Sequence, residues 1–480
     1  MKPNDAVTMV NWFPRTGDCI TRPGYAEHCD TGEGAHSVQF LRELNHAGNK
    51  SLLAGCNGKL IDVTTSTPAT EGSGFLSNLW QAVQFKGKLF LGNGTDAPQD
   101  WDGSTLTATS WSGSGLTITD LIQPSVFKNR LFWVEKDSAT FWYTATAGSI
   151  TGALTAFDVA ENLAQGGHIV FLTKINRDGG DGPDDLFVVV LNTGYAIVYQ
   201  GTNPGDAQAW SLVGVYFVGQ PVGVRGFIEV GSDVILITRG GYVPMTTVLP
   251  FGRAMPTKAT ISDKIAGAAS DAVGRYGSSI NWAAIVHSQG DMLIINVPIS
   301  ATASDQHVMN MNTNSWTRFR GIPSYCWAVF DEQPYFGGLG DGIVYAFDRG
   351  AVNDNGNPVP IDAQTAFNYL GDRAHYKNFL AARIIFVGAQ QPPIQLNSGA
   401  DFQRIGVGGS LTQVVGQVGS EWDTSQWDTA EWAGAEESYG EWQTLNAAGY
   451  TVSLRLKLSV SVSSLKWLSS TYAYEQGGML

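Results

Sequence analysis

The stretch LFVVVLNTGYAIVYQG (Leu186 to Gly201) sets two runs of β-branched and aromatic residues on either side of Asn-Thr-Gly. It predicts two antiparallel strands, because such side chains suit a pleated surface and glycine supplies the positive φ of a tight turn. The same unit recurs in both directions. Upstream it stands in SLLAGCNGKLIDVT (Ser51 to Thr64), AVQFKGKLFLGNG (Ala82 to Gly94) and VFKNRLFWVEKDSATFWYT (Val126 to Thr144). Downstream it returns in DVILITRGGYVPMT (Asp233 to Thr246), in Asp291 to Phe319, and in AVFDEQPYFGGLGDGIVYAFD (Ala328 to Asp348). Hairpin centres roughly 35–60 residues apart match the repeat of propeller blades. One four-stranded blade cannot bury both faces alone, whereas radial packing covers the faces and leaves only short edges. The expected fold is all-β, a β-propeller of repeated hairpin blades over residues 50–350. An irregular chain of β-sandwiches is the competing reading.

The flanks read differently. Residues 1–49 form an N-terminal segment that either closes the ring of blades or reaches a partner. Within the repeats, ISDKIAGAASDAVGRYG (Ile261 to Gly277) predicts a helix near 262–276, with Ser262 as N-cap and Ile265, Ala269 and Val273 on one face. The turn-rich linker GAVNDNGNPVPID (Gly350 to Asp362) leads to an additional C-terminal β-sandwich-like domain, residues 363–480. There, Ala381 to Gln390 and Tyr450 to Gln476 alternate as strands with one wet face do. Between them lies a tract holding Trp422, Trp427, Trp432 and Trp442.

Composition excludes several classes. Only 15% of the 480 residues are charged and 11% are aromatic, which is no profile for a disordered chain. No apolar run is long enough for a transmembrane helix, so no membrane insertion is expected. The start shows no basic segment followed by an apolar one, so no secretory signal is expected. With 29 basic against 43 acidic residues, the net charge of −14 argues against a general DNA-coating surface. Cys19, Cys29, Cys56 and Cys326 lack metal-ligand spacing and read as free thiols from a reducing compartment, with a Cys19–Cys29 link left open.

Chemistry-bearing motifs are sparse. The seven histidines form no H-E-x-x-H pair, and neither a nucleophile elbow nor a phosphate loop is present. GGLGDG (Gly337 to Gly342) lies between strands and reads as a hairpin turn, not a dinucleotide fingerprint. Two acidic turns carry enough oxygens to raise the question of calcium: one with Asp178, Asp181, Asp184 and Asp185, the other with Asp354. Neither has EF-hand spacing, and both read first as solvated loop tips. No catalytic residue, cofactor or metal site is assigned, and the chain is expected not to be an enzyme.

The opening NWFPRTGDCITRPGYAEH, with Asn11, Pro14, Arg22, Pro23 and Gly24, resembles the N-terminal element of bacteriophage tail proteins. Val198 to Gly226, the following GGYVPM and the run ISDKI (Ile261 to Ile265) resemble the same group, in the same order. The resemblance is to the tail nozzle, or tail hub, of short-tailed phages, also described as packaged-DNA stabilisation proteins. It implies a homohexameric ring below the portal and adaptor, which retains packaged double-stranded DNA and becomes its exit conduit. It also implies contacts with tail adaptor and tail fibre or spike proteins, residence in the virion tail, and assembly in the host bacterial cytoplasm. No catalytic residues accompany that family.

Large adhesive surfaces would suit such a ring, and tryptophan is a favoured interface anchor. The candidate contact residues are Trp12 and Phe13 near the chain start, Lys264 and Arg275 on the predicted helix, and Trp422, Trp427 and Trp432. Residues 401–450 hold eight acidic residues and one basic, so half of the excess negative charge is concentrated there. An acidic lumen would let DNA pass without sticking. Two alternatives remain: a carbohydrate-active or carbohydrate-binding propeller (glycosidase or lectin), and a receptor-binding or fibre-attachment tail protein.

Overall fold

The computed structural model describes residues 5–162, 166–178, 183–251, 260–389, 394–403, 405–406, 437–461 and 464–479. Their regular elements are nearly all strands, as the repeated hairpins predict. The chain divides into two compact units, both discontinuous in sequence. The larger comprises Glu27–Ser304 and Pro323–Ala346; the smaller comprises Met1–Ala26, Asp305–Ile322 and Phe347–Leu480. The expected boundary near residue 350 is therefore only one of several crossings, and residues 1–49 do not form a unit of their own.

In the larger unit, seven strands each begin a sheet with an antiparallel hairpin; six of these sheets have three to five strands, and the one begun by Ala283–His287 has eight. They are β1 (Val38–His46), β2 (Gln81–Phe85), β3 (Leu121–Phe127), β4 (Ile169–Asp178), β5 (Phe227–Val230), β6 (Ala283–His287) and β7 (Ser324–Phe330). β1 touches β2, β2 touches β3 and β3 touches β4; β5 touches β6, β6 touches β7, and β7 touches β1. β4 and β5 meet through Phe171 and Phe227, whose rings stack at 4.3 Å. The sheet begun by β7 takes its fourth strand, Tyr25–Asp30, from near the chain start, and Thr31 N donates to Gly342 O at 3.0 Å.

Aromatic side chains fill the space between successive sheets. Phe40 and Leu53 of the first meet Trp80 and Leu91 of the second. Phe90 of the second meets Trp133 and Trp142 of the third, and Phe132 and Phe141 of the third meet Phe187 and Trp210 of the fourth. Leu41 and Leu52 meet Tyr325 and Tyr335 of the seventh sheet. Each such side chain contributes about 1.5–3 kcal/mol by leaving water. The turns follow from sequence too. Ala47-Gly48, Asn57-Gly58 and Lys86-Gly87 have positive φ at both central residues, the type I′ geometry whose twist matches the flanking strands. At Gly58 a Cβ would also lie 2.7 Å from Phe75 O.

In the smaller unit, two sheets share one core. Val359–Thr365 pairs with Ala6–Val10 and Val452–Val460, while His375–Gly388 pairs with Lys466–Met479. Ile361, Leu454, Leu456 and Leu458 from the first meet Phe379, Ile384 and Phe386 from the second. Burial roughly alternates along His375–Gly388, as the sequence predicts, whereas Val452–Val460 is buried along most of its length on both faces, because it is an inner strand of its sheet. All four cysteines are free thiols, so the Cys19–Cys29 link is absent.

Candidate functional site

β1 to β7 line one cavity of about 530 Å³ in the larger unit. Because adjacent first strands are splayed, glutamine side chains replace the missing backbone ladder. Gln123 donates to Leu172 O at 2.9 Å and accepts from Leu172 N at 2.6 Å. Gln84 bridges Asn45 in the same two-ended way. Gln123 sits at φ +43 within a break in the β3 register, a bulge that re-aims its side chain.

Arg225, just before β5, reaches two other sheets. Its guanidinium donates to Gln39 O and to Trp80 O, both at 2.7 Å, and Gln81 Nε2 donates to Val224 O at 2.6 Å. These contacts tie residues 224–225 across to β1 and β2. Burial pushes the Arg225 pKa down, and the groups whose charge it feels are Cys326 and Tyr325, not a carboxylate.

Arg42 of β1, Lys174 of β4 and Glu229 of β5 line the same cavity and are solvent-exposed. Among the described residues, neither the Arg42 nor the Lys174 side chain makes a hydrogen bond or ion pair, while Glu229 accepts from Thr173 Oγ1 at 3.2 Å. Enclosure lowers the Arg42 pKa, with Glu229 and Glu43 opposing that shift. Arg42, Lys174 and Arg225 thus share the lining with Glu229, the sole acidic residue among the described lining residues. The lining is net positive in a chain of net charge −14.

The residues that carry the family resemblance meet in the smaller unit. Arg22 is 1% exposed and donates to both carboxylate oxygens of Asp354, at 2.8 and 2.5 Å. It also donates to Asn11 Oδ1 at 3.0 Å and Arg320 O at 2.9 Å. Asn11, at φ +60, accepts from Arg320 N at 2.8 Å and donates to Pro360 O at 2.7 Å. A Cβ on Gly24 would lie 1.9 Å from Asn353 O. Burial raises the Asp354 pKa, and Arg22 opposes that rise. Asp354 is therefore an ion-pair partner of Arg22 and not a solvated loop tip.

A second concavity, this one in the smaller unit, is lined by aromatic rings. Phe367 and Phe402 approach at 4.9 Å, Phe402 is 65% exposed, and the Arg373 guanidinium lies 5.0 Å from the Tyr369 ring centroid.

The sequence-derived contact residues scatter. Trp12 is fully buried, 6.3 Å from Phe386 and 5.8 Å from Trp467 between ring centroids. Phe13 is buried against Phe319. Both are core residues and not surface anchors, because the short strand Trp12–Pro14 that carries them is buried within its own unit. Lys264 and Arg275 are exposed, and Arg275 pairs with Asp271 at 2.8 Å, one helical turn back. The helix runs Ala266–Tyr276, after a 3-10 turn Asp263–Ile265. Ser262 does not cap it; its hydroxyl accepts from Tyr242 N at 3.2 Å. Trp422, Trp427 and Trp432 lie outside the described residues, as does Asp181. Of the first acidic turn, Asp185 pairs with Lys128 at 2.5 Å. Among the described residues, no group of three His, Cys, Asp or Glu could hold a metal ion.

Sequence reading missed Arg42, Lys174, Arg225 and Glu229. Three of them share a signal, a charge inside the first strand of an otherwise apolar hairpin: FLRELN, VFLTKIN and FIEV.

No family model matches the chain, and no curated protein matches it. Solved structures with similar geometry include the computationally designed Ika8 protein, at 11% identity and TM-score 0.38, covering 67% of this chain and 99% of that one. BBS1N, in complex with ARL6DN, is similar at 11% identity and TM-score 0.43, covering 69% and 99%. The extracellular domain of a putative one component system, BT4673 from B. thetaiotaomicron, is similar at 9% identity and TM-score 0.45. That match covers 78% of this chain and spans about half (47%) of the other.

Proposed function

We propose that this chain is a structural protein of a short-tailed phage virion, the tail nozzle or hub, and that the seven hairpins begin the blades of a β-propeller. The propeller reading rests on the cyclic order of contacts from β1 through β7 back to β1. Taking the last blade's fourth strand from the chain start would close the ring without a covalent link. The nozzle reading rests on the ordered resemblance along residues 10–350. The observation that carries it is the buried junction in which Arg22 pairs with Asp354, Asn11 bonds to Pro360, and Gly24 packs against Asn353. A motif whose residues are spent on internal hydrogen bonds suits a family that shares an architecture and not a reaction.

In this reading six copies form a cyclic ring through heterologous contacts. The ring extends the tail channel, retains packaged DNA and serves as the ejection conduit. Exposed Lys264, in the 3-10 turn, and Arg275, on the helix after it, are available to a neighbour, and tail adaptor and fibre proteins are the other partners. The protein is assembled in the host cytoplasm and carries out no catalysis. Imaging of the purified chain tests this: a six-fold ring is the expected result.

The glycosidase alternative requires a pair of carboxylates flanking the scissile bond. Glu229 is one candidate, and hydrolysis of a glycan lost in Glu229→Gln would favour that alternative.

A further inference from the structure

We propose that the central cavity is a binding site for a small phosphorylated polyol, such as a sugar phosphate. This inference stands on the cavity's own geometry and charge and does not depend on the nozzle reading.

Three observations carry it. The first is Arg225. A guanidinium has five N–H donors and cannot shed its charge; this one spends donors on Gln39 O and Trp80 O, with no carboxylate among the groups whose charge it feels. An enclosed cation without a counter-ion is costly, and the cost falls when an anion enters. The second is the pair Arg42 and Lys174, which come from different sheets onto one cavity. In a chain with 43 acidic and 29 basic residues, this concavity holds two cations whose side chains, among the described residues, have no hydrogen bond or ion pair. The third is shape. The cavity, about 530 Å³, lies within the range of small-molecule sites, and the contacts from residues 224–225 to β1 and β2 give it a wall of fixed groups.

The chemistry narrows the ligand. Arg42 offers a planar fork that matches a phosphate, and Lys174 a point charge beside it. Glu229 is an acceptor that would repel a second phosphate and accept a hydrogen bond from a hydroxyl instead. A single phosphate attached to a hydroxylated body satisfies all three; a polyphosphate does not.

Titration calorimetry on the full chain tests this with glucose 6-phosphate, inorganic phosphate and glucose as probes. Glucose 6-phosphate should bind most tightly, inorganic phosphate more weakly, and glucose least. Arg42→Gln and Lys174→Gln should each weaken glucose 6-phosphate binding roughly tenfold, whereas Arg239→Gln, an exposed charge outside the cavity lining, should leave it unchanged. Glu229→Gln should weaken the sugar phosphate yet tighten inorganic phosphate, a reversal that misfolding would not produce. The proposal is overturned if glucose 6-phosphate gives no binding at millimolar concentration. It is equally overturned if Arg239→Gln weakens binding as much as Arg42→Gln, which would mark general surface attraction.

Discussion

Arg22 and His307 show how single buried ionisable groups decide the behaviour of the smaller unit. Arg22 is bound on every side by Asn11, Asp354 and Arg320, so removing it strands a buried carboxylate. Arg22→Ala should destabilise the protein by about 3–5 kcal/mol, read from denaturant unfolding; a loss below about 1 kcal/mol would show that the junction is ornamental. His307 is 4% exposed and stands opposite Arg318 across a hairpin. Burial, helped by Arg318, pushes its pKa down to about 4. Since the unfolded chain takes up this proton near pH 6.5, the native state is favoured above that value. Stability then falls as pH drops from about 6.5 towards 4, by about 3 kcal/mol at most. His307→Gln should flatten the slope between pH 7 and 5 relative to the parent, and an identical slope would contradict the assignment. Cys326, pushed up to about 11 by burial, should resist alkylation at neutral pH until the protein unfolds; rapid labelling of the native state would place it at a surface.

At the scale of elements, the hairpins were legible because the information is local. Asn57-Gly58 and the runs around it specify turn, twist and alternation within a dozen residues. The helix Ala266–Tyr276 was also legible, but its start was not. Ser262 is drawn to Tyr242 N, a partner twenty residues away that no cap rule can weigh. The cavity escaped notice for the same reason, since Arg42, Lys174 and Glu229 converge only when separate sheets are assembled. Trp12 and Phe13 were misjudged because an apolar run at a chain end reads alike as a core strand or a free surface. The strand Tyr25–Asp30 supplies an element-scale prediction. Because it completes the sheet begun by β7, deleting residues 1–30 should yield an insoluble or unfolded protein by circular dichroism. A soluble chain with native melting would show that the strand is dispensable.

For the whole molecule, the discontinuous units could not be read from sequence. Residues 305–322 interrupt the larger unit and belong to the smaller, so a boundary sought in a single linker finds only part of the division. Charge is likewise a property of the assembled chain: the acidic surplus concentrated in 401–450 coexists with a net-positive cavity. The nozzle account joins these features only if many copies assemble, because a conduit for DNA is a property of the ring. Electron cryomicroscopy of the purified full-length protein tests this most directly. The account predicts a closed six-fold ring around an acidic lumen, with seven blades resolved in each copy. A monomer, or an open assembly with a basic lumen, would contradict it.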